Sequence, residues 1–166
     1  MPLRRTSRLR EFSYVGLQAY FLTICTHQRV RAFDDRVFAR AATAKLLLSA
    51  ATHGFAIPAY TLMPDHVHLV AEGERLDSNM ETLVKSWNTQ TGYAWRRLHV
   101  GPLWQVGYYD HVLRGDEPLL AVCRYVVLNP VRAGLVVNPE DYEFTGSSRY
   151  TIRQILEAAD DWRPQW

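Results

Sequence analysis

Two short peptides in this 166-residue chain hold side chains able to do chemistry. The first is His66-Val67-His68. On a strand, alternate side chains point to opposite faces, so His66 and His68 project together while Val67 and Leu69 face the other way. Two imidazoles side by side can hold a divalent cation, or they can be histidines satisfied by ordinary hydrogen bonds. The surrounding residues leave both readings open. No further Cys or His stands close by in sequence. A metal held here would therefore keep positions open for water or substrate, as catalytic metal sites do. The second peptide is residues 124–130 (RYVVLNP). On a helix, Tyr125 and Asn129 are four apart and share a face. A phenol with a pKa of about 10 is a weak nucleophile unless a cation favours phenolate or polarises the electrophile. In isolation, a tyrosine at a helix boundary reads first as an ordinary amphipathic residue.

An alternation of strands and helices must position these groups. Residues 20–26 (YFLTICT), rich in β-branched and aromatic side chains, predict a strand. Asp34 and Asp35 can cap a helix running to about residue 53, with Gly54 as its stop. Residues 55–62 predict a second strand, in which Pro58 implies an edge or a bulge. Residues 63–65 form a tight turn into a third strand, 66–71. Ser78 or Asn79 opens a second helix that reaches about residue 98. Residues 103–113 predict a fourth extended segment. Asp116 is the expected N-cap of a third helix, with Pro118 in its first turn and Pro130 ending it after Asn129. One more short helix is expected over 151–159. The order predicts an α+β fold of the ferredoxin-like, split βαβ type. It comprises one antiparallel sheet of about four strands with helices on one face, plus the tyrosine-bearing helix and a C-terminal tail. The expected divisions are a basic arm (1–14), a catalytic domain (15–134) and the tail (135–166).

Composition narrows the class. At 48% hydrophobic and 22% charged residues, the chain can fill a core, which excludes disorder as its main state. No apolar run approaches the roughly 18 residues of a membrane span, so no membrane partner is expected. The basic N-terminus is not followed by the apolar stretch of a signal peptide, and Cys25 and Cys123 are too far apart in sequence for a CxxC site. A reducing cytoplasm is the expectation. Net charge is only +2, yet residues 1–33 hold six arginines against one glutamate, and residues 137–166 hold three arginines against six acids. Seventeen of the nineteen basic residues are Arg, the side chain suited to bidentate phosphate contact and to stacking on bases.

PDHVHLV (64–70), followed about sixty residues later by CRYVVLNPVRAGLV (123–136), resembles the single-tyrosine HUH transposases and especially the REP-associated tyrosine transposases. Residues 103–114 (LWQVGYYDHVLR) also look like that family's segment ahead of the tyrosine helix. The resemblance covers roughly residues 12–150. It implies that His66 and His68 are paired metal ligands, that Tyr125 is the nucleophile, and that Asn129 is the third, oxygen ligand. Some relatives carry Gln there. Two imidazoles and an amide suit Mg²⁺ or Mn²⁺. The implied activity is cleavage and transfer of single-stranded DNA at a hairpin through a 5′-phosphotyrosine. The sequence does not identify the group that accepts the tyrosine proton: His111 and Asp65 lie in plausible segments, but a structural role fits each better.

For DNA contacts the sequence offers Arg4, Arg5, Arg8 and Arg10 in the arm, and Lys85, Trp87 and Asn88 on the second helix. The other aromatics able to stack on bases are Trp95, Trp104, Tyr108 and Tyr109, though most large aromatics belong to cores. The expected partner is single-stranded or hairpin DNA, bound by a monomer or a homodimer. Two alternatives use the same fold: a nucleic-acid-binding module that does not cut, and a phosphodiesterase that employs activated water in place of Tyr125.

Overall fold

The computed structural model describes residues 12–158 and 162–164. Its central element is a five-stranded antiparallel sheet in the order β4-β1-β3-β2-β5. The strands are β1 (Ala19–Cys25), β2 (Phe55–Met63), β3 (His66–Gly73), β4 (Tyr109–Val112) and β5 (Thr145–Gly146). The split βαβ order is as the sequence predicts, but the sheet gains β5. The fourth strand is also much shorter than 103–113. Leu103 instead drops into the core, Trp104 makes an isolated bridge with Thr26, and Gly107 turns the chain at a φ of 80°.

Helices α1 (Arg36–Thr52) and α2 (Met80–Arg96) cover one face. Asp35 caps α1 by accepting from the backbone N–H groups of Val37 and Phe38, and Asn79 caps α2 by accepting from Thr82. α1 stops where Gly54 takes a φ of 72°, a left-handed value that a side chain would disfavour. Tyr20, Leu22, Ile24, Leu62, Val67 and Leu69 meet both helices in the larger core, which also takes in Tyr14 from the arm's end and Phe144 from the tail. Arg4, Arg5, Arg8 and Arg10 lie outside the described residues.

The opposite face carries α3 (Leu119–Val127), continued by the single turn α4 (Asn129–Arg132), and α5 (Ile152–Leu156). The tyrosine-bearing helix thus stands apart from the other two, across the sheet. Pro118, not Asp116, precedes α3, with no side-chain cap. Thr151 starts α5 with a reciprocal capping box to Gln154. A smaller core of Phe21, Ala59, Val70, Val122, Val126 and Ile155 fixes α3 to the sheet. The register shift between Ala56 and Ala59, around Pro58, is the bulge that proline implied. It sends Ile57 to the α1–α2 core and Ala59 to the α3 side, although two residues apart would otherwise share a face.

Candidate active site

His68 lies opposite Thr23 of β1 and Thr61 of β2, and His66 lies opposite Cys25 and Met63. Both imidazoles therefore stand on the α3 face of β3. Their Nε2 atoms meet at 3.1 Å, with ring centroids 4.7 Å apart. Their other nitrogens are occupied. His66 Nδ1 bonds Asp65 Oδ1 at 2.6 Å, and His68 Nδ1 bonds Thr23 Oγ1 at 2.8 Å. Phe21 stacks on the His68 ring at 5.7 Å. Burial pushes His68 well below the usual 6.5, and the neighbouring His66, Arg132 and Arg29 add to the shift. Burial also lowers His66, opposed by its bond to Asp65. Both rings are thus neutral near pH 7, the form in which imidazole binds a metal.

This pair fits a divalent ion. Two nitrogens in adjacent octahedral positions, each about 2.1 Å from a metal, lie about 3 Å apart. Their outer nitrogens already hold the carboxylate and hydroxyl partners that orient metal-binding histidines. Among the described residues no three His, Cys, Asp or Glu side chains assemble as a ligand set. Asn129 begins α4, one turn beyond Tyr125. Its Nδ2 donates to the carbonyls of Tyr125 and Val126 at 3.0 and 3.3 Å, which leaves Oδ1 outside those bonds.

Tyr125 projects from α3 towards the pair. Its ring centroid lies 6.2 Å from that of His68 and 5.7 Å, edge to face, from Phe21. Burial raises the phenol above its usual 10.0, against the opposing charges of Arg132 and Arg163. The Arg132 guanidinium lies 4.2 Å from the Tyr125 ring centroid and also donates to the Tyr125 carbonyl. Trp162 packs edge-on against the Tyr125 ring at 5.5 Å. Its indole N–H donates to Glu117 at 2.7 Å, and Glu117 also holds His111 at 2.9 Å.

A strap at residues 27–29 closes the other side of His66. Gln28 and Arg29 have φ values of 50° and 58°, left-handed conformations costing about 1 kcal/mol each for ordinary residues. Arg29 donates to Asp65 at 2.9 Å and to Cys25 Sγ at 2.9 Å, and its guanidinium lies 3.4 Å from His66 Nδ1. Burial alone pushes the Asp65 carboxyl up. The bond from His66 and the charge of Arg29 outweigh it and leave Asp65 below the usual carboxylate range.

The remaining candidates divide. Lys85 is exposed, and with Asn88 and Arg96 it lines a shallow groove beside Trp104. Trp87 does not belong there. It is 1% exposed, sits between the helices and donates its indole N–H to Ala42 O at 2.9 Å, so it is a core residue and cannot stack on bases. Trp95 and Tyr109 are also buried. Thr23, Arg29, Arg132 and Trp162 escaped the sequence reading. Thr23 was the one within reach, because pairing the two strands sets it against His68.

A split βαβ sheet that turns a histidine pair towards a helix-borne tyrosine defines the tyrosine transposase class. The model of the family described as "Transposase IS200 like" matches residues 14–129, and the chain belongs to that family. A REP-associated tyrosine transposase of Haemophilus influenzae is 24% identical over 165 residues, covering 92% of this chain and 90% of the relative. Its counterpart in Escherichia coli K12 is 23% identical over 108 residues, 65% of this chain and 62% of its own length. The fold also matches the solved structure of a REP-associated tyrosine transposase bound to a REP hairpin. The TM-score is 0.67 at 21% identity, over 84% of this chain and 81% of the other.

Proposed function

We propose that the chain is a metal-dependent single-strand DNA endonuclease and strand transferase acting at a DNA hairpin. Tyr125 is the nucleophile, and His66, His68 and Asn129 hold the ion. One observation carries this reading: the two Nε2 atoms converge at 3.1 Å on the face of the sheet that Tyr125 approaches. The solved relative's hairpin ligand supports the form of DNA. Mg²⁺ or Mn²⁺, when bound, supplies charge withdrawal at the scissile phosphate.

The chain's own residues do the rest. His66 and His68 present Nε2, each ring fixed from behind by Asp65 or Thr23. Asn129 presents Oδ1. The Tyr125 oxygen attacks phosphorus in line and gives up its proton. The bond from phosphorus to the 3′-oxygen breaks, and that oxygen leaves as a hydroxyl. The phosphate stays on Tyr125 as a 5′-phosphotyrosine, and a 3′-hydroxyl can reverse the step on the same or another strand. Lys85 and Asn88 of the α2 groove and the four arginines of the arm contact the DNA backbone away from the cut.

The test is a denaturing gel of the protein with a labelled hairpin bearing a single-stranded flank. A covalent protein–DNA band is expected with Mg²⁺ or Mn²⁺ and is lost with EDTA. His66→Ala and His68→Ala each lose most activity. Tyr125→Phe removes one hydroxyl, keeps the ring's packing, and forms neither adduct nor product. Binding without cleavage in the wild type, or an adduct peptide containing Tyr108 or Tyr109, overturns the reading.

A further inference from the structure

Arg29 and the strap that carries it have no part in the steps above. Gln28 and Arg29 are consecutive left-handed residues, and neither is glycine. Left-handed conformations are ordinarily visited by single residues, and strain of this kind persists only where the surroundings hold it. Here the hold is Thr26, the residue after β1. Its hydroxyl donates to Val30 O at 2.7 Å and to Asp65 O at 2.8 Å, and its backbone N–H donates to Asp65 O at 3.0 Å. The Phe33 N–H donates to Pro64 O at 3.0 Å. Strap and turn therefore form one unit, although 36 residues separate Arg29 from Asp65.

That unit aims one side chain. Arg29 Nε donates to Asp65 Oδ2 at 2.9 Å, and Nη1 donates at 2.9 Å to Cys25 Sγ, whose residue pairs with His66 across the strands. Asp65 Oδ1 takes the Nδ1 proton of His66 at 2.6 Å. Each carboxylate oxygen has its own partner, and with Oδ2 tied the group cannot turn Oδ1 away. A turn carboxylate that is 24% exposed would otherwise exchange His66 for water. Held this way, it keeps the proton on Nδ1 and leaves the Nε2 lone pair facing the ion site. Charge alone argues the other way, because a guanidinium 3.4 Å from His66 Nδ1 repels a cation bound through the same ring. We propose that Arg29 is a positioning residue: acting through Asp65, it locks His66 in the tautomer that offers Nε2 to the metal, and the orientation gained outweighs the repulsion. The inference rests on the reading of the histidine pair as a metal site.

Two readouts test it in the full chain without DNA. ¹⁵N NMR of the metal-free protein reports which nitrogen of His66 carries the proton. The wild type should show one tautomer, protonated on Nδ1, and Arg29→Gln a mixture of the two. Calorimetric titration with Mn²⁺ reads the consequence. Asp65→Ala should lose about 10–100-fold in affinity, and Arg29→Gln a smaller part of that, about threefold or more. In the Asp65→Ala background Arg29→Gln should cost nothing further, because the group it acts through is gone. Arg29→Lys, whose ammonium can still reach Asp65, should recover most of both signals. The Arg29 side chain is half exposed, so shortening it opens no buried cavity. Arg29→Met, which keeps the stem, carries the same expectations should Arg29→Gln fail to fold. Mn²⁺ binding by Arg29→Gln as tight as the wild type's or tighter, an unchanged His66 tautomer, or a loss that persists at full size in Asp65→Ala overturns the proposal. A wild type that binds no Mn²⁺ refutes the metal reading, and the tautomer comparison still tests the coupling of Arg29 to His66.

Discussion

Replacing Thr23 by valine probes how the histidine pair is prepared for an ion. Thr23 is 3% exposed and His68 5%, and their side chains bond at 2.8 Å. His66 gives its Nδ1 proton to Asp65, so its Nε2 accepts a proton from His68 Nε2 across 3.1 Å. His68 Nδ1 is then an acceptor, and the Thr23 hydroxyl donates to it. With both Nε2 lone pairs given to a cation, the His68 proton must sit on Nδ1 and Thr23 must accept it. A hydroxyl serves both states by rotating, and valine serves neither. The variant leaves an acceptor without its bond in the ion-free state but strands a buried N–H donor in the ion-bound state. A stranded buried donor costs about 1–3 kcal/mol. Charged mostly against the bound state, that is a 10–100-fold loss of metal affinity, the range found when such supporting partners are removed. Titration calorimetry of Mn²⁺ into the DNA-free protein measures it. Thr23→Ser, which keeps the hydroxyl, should bind nearly as the wild type does. A folded Thr23→Val that binds Mn²⁺ within about twofold of wild type would refute the tautomer argument.

Stability should fall with acid. Burial holds His68 and His66 below the usual 6.5, so the unfolded chain binds more protons once the pH drops below that value. Calorimetric melting without metal should be flat above about pH 7 and decline towards pH 5, and a Tm unchanged over that range would contradict it. Trp87→Ala should cost about 3–5 kcal/mol of folding free energy in urea unfolding. Were it to lose DNA binding at unchanged stability, the core assignment would fail. Deleting residues 1–10 removes four arginines. The salt slope of hairpin binding should drop by up to about 3, whereas an unchanged slope would mean that the arm makes no phosphate contact.

The site was legible where one local period decides direction. Strand alternation puts His66 and His68 together, and helical spacing puts Asn129 one turn past Tyr125. Partners across the sheet needed one step more, because Thr23 meets His68 only once β1 and β3 are paired in register. Trp87 shows the opposite case. Its neighbours Lys85 and Asn88 suggested a polar surface, yet Val84, Trp87, Thr91 and Trp95 recur at helical spacing and are all buried, a stripe already present in the sequence. β5 has two residues and hence no period to read. Trp162 reaches Tyr125 from a segment whose composition gives no sign of where it docks.

The two faces of the sheet explain how a polar site can be held this tightly. Aromatic and aliphatic side chains on the α1–α2 face fix the register of β1, β2 and β3. A one-residue slip would turn that apolar set outward, so the register is costly to change. The same register places Thr23 against His68 and Cys25 against His66 on the other face, where only the smaller α3 core is available. Geometry at the site is thus secured by burial on the far side. The left-handed strap at Gln28 and Arg29 follows the same logic, because Thr26 beneath it donates to Val30 O and Asp65 O and pins the strap to the turn before β3. Substitutions in the α1–α2 core should therefore reduce activity only as far as they unfold the chain. Substitutions at Thr23, Asp65 or Arg29 should change the site while the melting transition stays cooperative.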